Sequence, residues 1–361
     1  MRVAFVTVGD TGRLTGGYLY NAQVISGLRE AGVEVEEVLA SGASVEEQRA
    51  AAPQLGSLLD PEDFDVLVVD ALARVACAPH LERWQAARPL VAMVHELPSI
   101  AGGLPAAESK EYARDRELEE PLLRAERLIC VSRHGRSILE DRGAPASRVR
   151  VVPPGFDRLP PIVCEDWRSA DDTLLRALCV AQWIPRKGIL ELVRAWASRE
   201  RPGALLELVG ETSADPGYAS EVRAAVAEVS ERPGISVAVT GPVDDNSLAT
   251  AYARADLFAL PSHYEGYGIV YAEALAYGLP VLACGVGPVP DLVGEQAALL
   301  VPPEDERALS EALDLLLSDA ELRIRMSAAA RRRARCLSCW DEVVAEFVRV
   351  LKEAAALRST R

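Results

Sequence analysis

The chain is expected to fold as an α/β protein with two Rossmann-like parallel-sheet domains, on three observations. Short apolar runs alternate with amphipathic helical stretches along nearly the whole length, the pattern of parallel strands joined by crossover helices. The alternation is broken once, by Pro153, Pro154, Pro160 and Pro161, and a second set of runs begins after Thr173. The 361 residues exceed what one hydrophobic core usually serves, and a 49% hydrophobic content is ample for two.

Taken in order, the first set of strands is read at Val3–Val8, Glu34–Val38, Val66–Asp70, Leu90–Val94, Leu128–Val131 and Val149–Val152. The second is read at Leu174–Val180, Leu205–Val209, Ile235–Val239, Leu257–Leu260, Val281–Cys284 and Ala298–Val301. The resulting division is a first domain over 1–155, a linker over 156–173 and a second domain over 174–338. A last helix, from about Trp340 to Leu357, follows once the second sheet is complete. In sheets of this kind ligands bind at the carboxyl ends of the strands, so the loops there are the places to search.

A net charge of −15 argues against general nucleic-acid binding, because no basic run offsets it. Arg331-Arg332-Arg333 is the densest basic patch and reads as a solvated helix face. The seven cysteines form no disulfide framework, which implies a reducing compartment and a cytoplasmic protein. Cys336-Leu337-Ser338-Cys339 lacks a second pair of ligands for zinc. No apolar run is long enough to span a bilayer, and Arg2–Val8 leads into Gly9-Asp10-Thr11-Gly12 rather than a signal-peptide core.

The most informative segment runs from Ser262 to Pro280. The apolar strand before it ends at Pro261; Gly266 and Gly268 then permit positive φ, and Ile269–Tyr277 has helical spacing closed by Gly278 and Pro280. Amides at such a helix start suit an anion. Glu265 stands beside them and Glu273 about two turns further on. Two carboxylates around an anion cradle suggest a ligand with both hydroxyls and phosphates; each could also be an ordinary helix carboxylate.

A second strand end carries Val180-Ala181-Gln182-Trp183-Ile184-Pro185-Arg186-Lys187-Gly188. Two cations at the start of a helix over 188–198 oppose its dipole, so Arg186 and Lys187 are better explained as phosphate clamps than as a solvated pair. Lysine is otherwise used only at Lys110 and Lys352, which suggests that a compact charge is wanted at Lys187.

The Pro-Arg-Lys-Gly segment, the Glu-Gly-Tyr-Gly…Glu pair and Val152-Pro153-Pro154-Gly155-Phe156-Asp157 resemble glycosyltransferase family 4, and Gly16-Gly17 and Val131-Ser132 also stand where that family has them. The resemblance implies a retaining, nucleotide-sugar-dependent enzyme of the GT-B fold, two such domains facing across a cleft, with the last helix crossing back to the first. It assigns Glu273 to the ribose hydroxyls and Glu265 to the donor-sugar hydroxyls. Sugar and phosphate fall to the amides of Gly266, Tyr267, Gly268, Ile269 and Val270, and the base to backbone near Pro242 and Val243. It also puts His95, at the end of the Leu90–Val94 run, near the donor sugar, hydrogen bonding rather than acting as general base. Gly16 and Gly17 would hold acceptor or donor phosphate. The chain departs from the family at Gln182, where arginine is common; the neutral amide should weaken diphosphate binding by roughly 1.5–3 kcal/mol unless Arg186 substitutes.

The chemistry so implied is departure of a nucleoside diphosphate from an anomeric carbon. The sequence has no Asp-x-Asp motif and no ligand cluster at metal spacing, so Lys187, Arg186 and helix amides would meet the growing charge, and no cofactor is expected besides the donor substrate. Asp244-Asp245 reads as a helix cap. The hexosyl acceptor would be a soluble small molecule or carrier, its site shaped by first-domain loops such as 96–112. An NAD oxidoreductase is disfavoured, because Gly9, Gly12, Gly16 and Gly17 do not fit Gly-x-Gly-x-x-Gly. The alternatives are a sugar-nucleotide epimerase or phosphorylase on the same architecture, or a non-catalytic nucleotide-sugar-binding protein.

Overall fold

The computed structural model describes residues 1–9, 15–42, 44–101, 110–160, 174–198, 203–232 and 234–357. Most of the expected linker, the tip of the 96–112 loop, Cys164 and the middle of the Gly9–Gly17 turn lie outside the described residues. Two compact units are present: Met1–Pro154 together with Cys339–Arg361, and Gly155–Ser338.

All twelve apolar runs form strands. The first unit contains β1 (Arg2–Val8), β2 (Glu34–Ala40), β3 (Val66–Asp70), β4 (Leu90–Val94), β5 (Arg127–Cys130) and β6 (Val149–Val151). They make one parallel sheet in the order β2-β1-β3-β4-β5-β6. The second unit contains β7 (Leu175–Val180), β8 (Ala204–Val209), β9 (Ile235–Gly241), β10 (Leu257–Leu260), β11 (Val281–Cys284) and β12 (Ala298–Val301). Their order is β12-β11-β10-β7-β8-β9, again all parallel. Central strands such as β3 and β4 are buried at every position, because crossover helices cover both faces, and that is why they read as unbroken apolar runs.

Each sheet reverses its order once, between β1 and β3 in the first and between β7 and β10 in the second. Loops leaving neighbouring strands in opposite directions open a crevice at such a point. The Pro-Arg-Lys-Gly segment follows β7 and the Glu-Gly-Tyr-Gly segment follows β10, so the second reversal brings together two motifs that lie far apart in sequence.

The Trp340–Ala356 helix packs in the first unit on the Gly16–Glu30 helix, with further contacts to β3 and β4. Gly27 makes this approach possible, since a Cβ there would stand 2.3 Å from Val344 Cγ2. Trp340 meets Tyr20 edge-on at 5.8 Å, and Glu353 pairs with Arg150 at 2.8 Å and Arg127 at 3.4 Å.

Three local expectations are corrected. The helix after Lys187 begins at Ile189, and Pro185–Lys187 form a 3-10 turn before it, because Gly188 is left-handed at φ 65° and breaks the α-helical run. Of the two glycines in the Glu265 loop only Gly268 has positive φ, at 94°; Gly266 does not. The arginine patch is not wholly solvated: Arg333 donates to the carbonyls of Leu292 and Asp291, closing the C-terminal end of the Val289–Val293 helix.

Candidate active site

At the reversal of the second sheet, the 185–188 turn is fastened to the loop after β10. His263 N–H donates to the Arg186 carbonyl at 2.8 Å, and Arg186 Nη1 donates to the Tyr264 carbonyl at 3.2 Å. Gly188 allows this contact, since a Cβ would stand 2.3 Å from the Pro261 carbonyl oxygen. The consequence is an ion pair, Lys187 Nζ to Glu265 Oε1 at 2.7 Å, with side chains only 14% and 6% exposed. Burial works against ionisation of Glu265, but the charges of Lys187 and Arg186 outweigh it and hold the carboxyl below its ordinary range.

Directly after Glu265, Gly268 caps the Ile269–Ala276 helix, and a side chain in its place would run into the Tyr271 ring at 2.5 Å. Tyr271 anchors the helix start by donating its hydroxyl to the Leu260 carbonyl at the end of β10. The first amides of that helix have no intrahelical acceptor by geometry, so Ile269 and Val270 present donors beside the Lys187–Glu265 pair. The arrangement offers one mostly buried cation from the 185–188 turn with a carboxylate and a helix N-terminus from the segment after β10, which can take a phosphate and its attached hydroxyls together.

Glu273 is 2% exposed and already engaged. Its Oε1 accepts from Arg158 Nη2 at 2.8 Å and Nε at 3.1 Å, and its Oε2 accepts from the Tyr252 hydroxyl at 3.0 Å. Burial raises its carboxyl above the ordinary value, and Arg158 and Tyr252 offset part of the rise. Arg158 also pairs with Asp245. Sequence reasoning missed Arg158, although it stands one residue beyond the quoted Gly155-Phe156-Asp157; a lone arginine in a proline-rich stretch has no periodicity to mark it. Asp244 is the N-cap of the Asp245–Arg254 helix, accepting Ser247 N–H at 2.8 Å, while Val243 immediately before it is half-buried. Gln182 turns its amide to Glu211, donating at 2.8 Å.

The remaining expected residues lie in the first unit. His95 follows β4 and faces Gly17, whose Cβ position would be 3.4 Å from the imidazole. Gly16 opens the Gly16–Glu30 helix, with Thr15 as its N-cap residue. Ser132 caps the Arg133–Asp141 helix through Gly135 N–H at 2.9 Å. Among the described residues no three His, Cys, Asp or Glu side chains cluster as a metal site, and no helix is long and apolar enough to cross a membrane.

Comparison with known proteins gives the class to which this pair of singly reversing parallel sheets belongs, the nucleotide-sugar glycosyltransferases. Residues 28–158 match the model of Glycosyltransferase Family 4, and residues 168–333 match that of the Glycosyl transferases group 1. Two curated relatives are D-inositol 3-phosphate glycosyltransferases. That of Salinispora arenicola is 32% identical over 297 residues, 76% of this chain and 65% of the relative. That of Xylanimonas cellulosilytica is 30% identical over 300 residues, 78% of this chain and 69% of the relative. The chain thus spans about two thirds of their length. The sucrose-phosphate synthase of Thermosynechococcus elongatus superposes with a TM-score of 0.84 over 99% of both chains at 22% identity, which establishes the GT-B fold. The chain belongs to glycosyltransferase family 4.

Proposed function

We propose that this protein transfers a hexosyl unit from a nucleoside-diphosphate sugar to a hydroxyl of a soluble acceptor, with retention at the anomeric carbon. The second unit takes the donor and the first unit the acceptor. The observation that carries the reading is the Lys187–Glu265 pair at the head of the Gly268-capped helix. A donor diphosphate entering there competes with Glu265 for Lys187, and Glu265 is freed to accept from sugar hydroxyls. Lys187, Arg186 and the amides of Ile269 and Val270 stabilise the charge that grows on the departing phosphate without need of a divalent ion. Glu273 accepts from the ribose hydroxyls, and backbone at Val243 meets the base. No side-chain nucleophile is required if the leaving phosphate assists deprotonation of the acceptor on the same face of the sugar.

Because two relatives carry D-inositol 3-phosphate in their names, a polyol phosphate of that kind is the first acceptor to try, in a reducing cytoplasmic setting. The test is a thermal-shift panel of uridine, guanosine and adenosine diphosphates and their sugars, followed by transfer assays with the donors that bind. A nucleotide at a hundred times its dissociation constant stabilises by about 2.7 kcal/mol. Anomeric NMR of the product then reads retention, and chelator in the assay reads metal independence. Binding without transfer to any acceptor would favour a non-catalytic nucleotide-sugar-binding protein. Arg186→Ala is expected to lower kcat/KM at least tenfold, and unchanged activity would remove Arg186 from the phosphate site.

A further inference from the structure

At the reversal of the first sheet, between β1 and β3, buried polar side chains form a continuous path to His95. Asp70, the last residue of β3, is fully buried. Its Oδ1 accepts from Leu72 N–H at 2.9 Å, and its Oδ2 from Thr7 Oγ1 at 2.9 Å and Asn21 Nδ2 at 2.5 Å. An ionised carboxylate has acceptors only, so Asn21 must turn its NH2 toward Asp70 and its carbonyl away. That carbonyl oxygen, Oδ1, lies 2.9 Å from His95 Nε2. A carbonyl oxygen accepts and never donates, which requires the hydrogen to be on Nε2. In the neutral ring the lone pair is then on Nδ1, which has no hydrogen bond among the described residues.

The surroundings keep the ring neutral and still. Tyr20 packs edge-on to it at 5.2 Å, with its own hydroxyl tied to the Val152 carbonyl, and Gly17 also lies against the ring. Burial depresses the His95 pKa against the opposing pull of Asp70, 3.9 Å away on β3, and of Glu96 on its own loop. Fully buried Asn21 is otherwise a costly residue in the interior of a helix, and its two hydrogen bonds are what satisfy it.

We propose that Asn21 is a positioning residue that transmits the negative charge of Asp70 into a single Nε2–H tautomer of His95, leaving Nδ1 as an acceptor for a hydroxyl of the sugar or polyol substrate. The proposal rests on the transferase reading for the identity of that substrate. It excludes a carbonyl oxygen or a fully ionised phosphate as the group facing Nδ1, since neither has a proton to donate. The relay is invisible to local pattern, because Thr7, Asn21, Asp70 and His95 come from four separate elements.

Only four histidines occur in the chain, so long-range 15N–1H spectra of histidine-labelled full-length protein can read the tautomer directly, with no ligand and no variant. The expected result at pH 7.5 is pure Nε2–H at His95. Asn21→Leu should give a mixed or Nδ1–H ring and lower kcat/KM for transfer at least tenfold, with nucleoside-diphosphate affinity within twofold of wild type. Asn21→Asp, nearly isosteric, should share a proton with Asp70 and bring part of the negative charge onto Nε2, moving the acid limb of the kcat/KM profile to higher pH. A wild-type ring protonated on Nδ1, or a tautomer indifferent to Asn21→Leu, overturns the relay. A switched tautomer with full transfer overturns the positioning role. If wild type transfers no sugar from any donor, the transferase reading fails, and the spectra still decide the relay.

Discussion

Lys187 and Glu265 hold opposite charges in a nearly dry setting, and removing one strands the other. Lys187→Ala should therefore cost about 3 kcal/mol at pH 7, measured by denaturant unfolding of the second unit. The pH dependence follows from Glu265. Its folded-state pKa lies below its unfolded value, so its contribution is complete above that unfolded value and is lost as pH falls through the folded one. Glu265→Gln is thus expected to flatten the acid side of the stability profile below about pH 4.5; an unchanged profile would mean that the pair contributes nothing. Glu273 has the opposite sign, with a carboxyl raised by burial against the opposing pull of Arg158. Arg158→Ala should weaken nucleoside-diphosphate binding at pH 7 at least tenfold, with recovery as pH rises and Glu273 ionises again. Calorimetric titration from pH 6.5 to 9 reads this, and a pH-independent loss would mark Arg158 as structural only.

Among the elements, the Gly16–Glu30 and Trp340–Ala356 helices are in close contact at Gly27. Gly27→Ala should destabilise the first unit by about 2 kcal/mol through overpacking against Val344. Val344→Ala added to it should recover most of that loss, the signature of a direct contact in a double-mutant cycle. Additive losses would place the strain elsewhere. The strands and helices were legible from the sequence because central strands such as β3 and β4 are buried on both faces and most helices on one, and burial writes itself as hydrophobic period. What stayed hidden are contacts between elements: the Asn21–Asp70 bond, the Arg158 clamp and the tether of Arg186 to His263 connect residues with no shared local pattern. The conformation of Gly266 was misread for a related reason. A glycine permits positive φ without requiring it, and only at Gly268 does the Tyr271 ring exclude a side chain. The Glu265, Lys187 and Gly268 part of the site was accessible because strand-end glycines and charges stand beside proline-closed apolar runs.

For the whole molecule, each unit has its own core and its own sheet, so unfolding should show two cooperative transitions. The first unit depends on the last helix, which packs on the Gly16–Glu30 helix and buries Trp340, Val343, Phe347, Val350 and Leu351. At about 1.5–3 kcal/mol for each large apolar side chain, losing them is comparable with the entire stability of a domain. A chain truncated after Ser338 should lose the first transition in calorimetry and keep the second, together with nucleoside-diphosphate binding. Survival of both transitions would refute this dependence.

The unit that begins at Met1 is completed only by residues from Cys339 onward. On the ribosome, at about 5–20 residues per second, all of Gly155–Ser338 is synthesised in the roughly ten seconds or more that separate the two parts. The later-encoded unit is therefore the one able to mature first. Its predecessor waits with the surface around Gly27 uncovered, the interval in which chaperone capture or exchange of the closing helix between nascent copies would compete with native assembly.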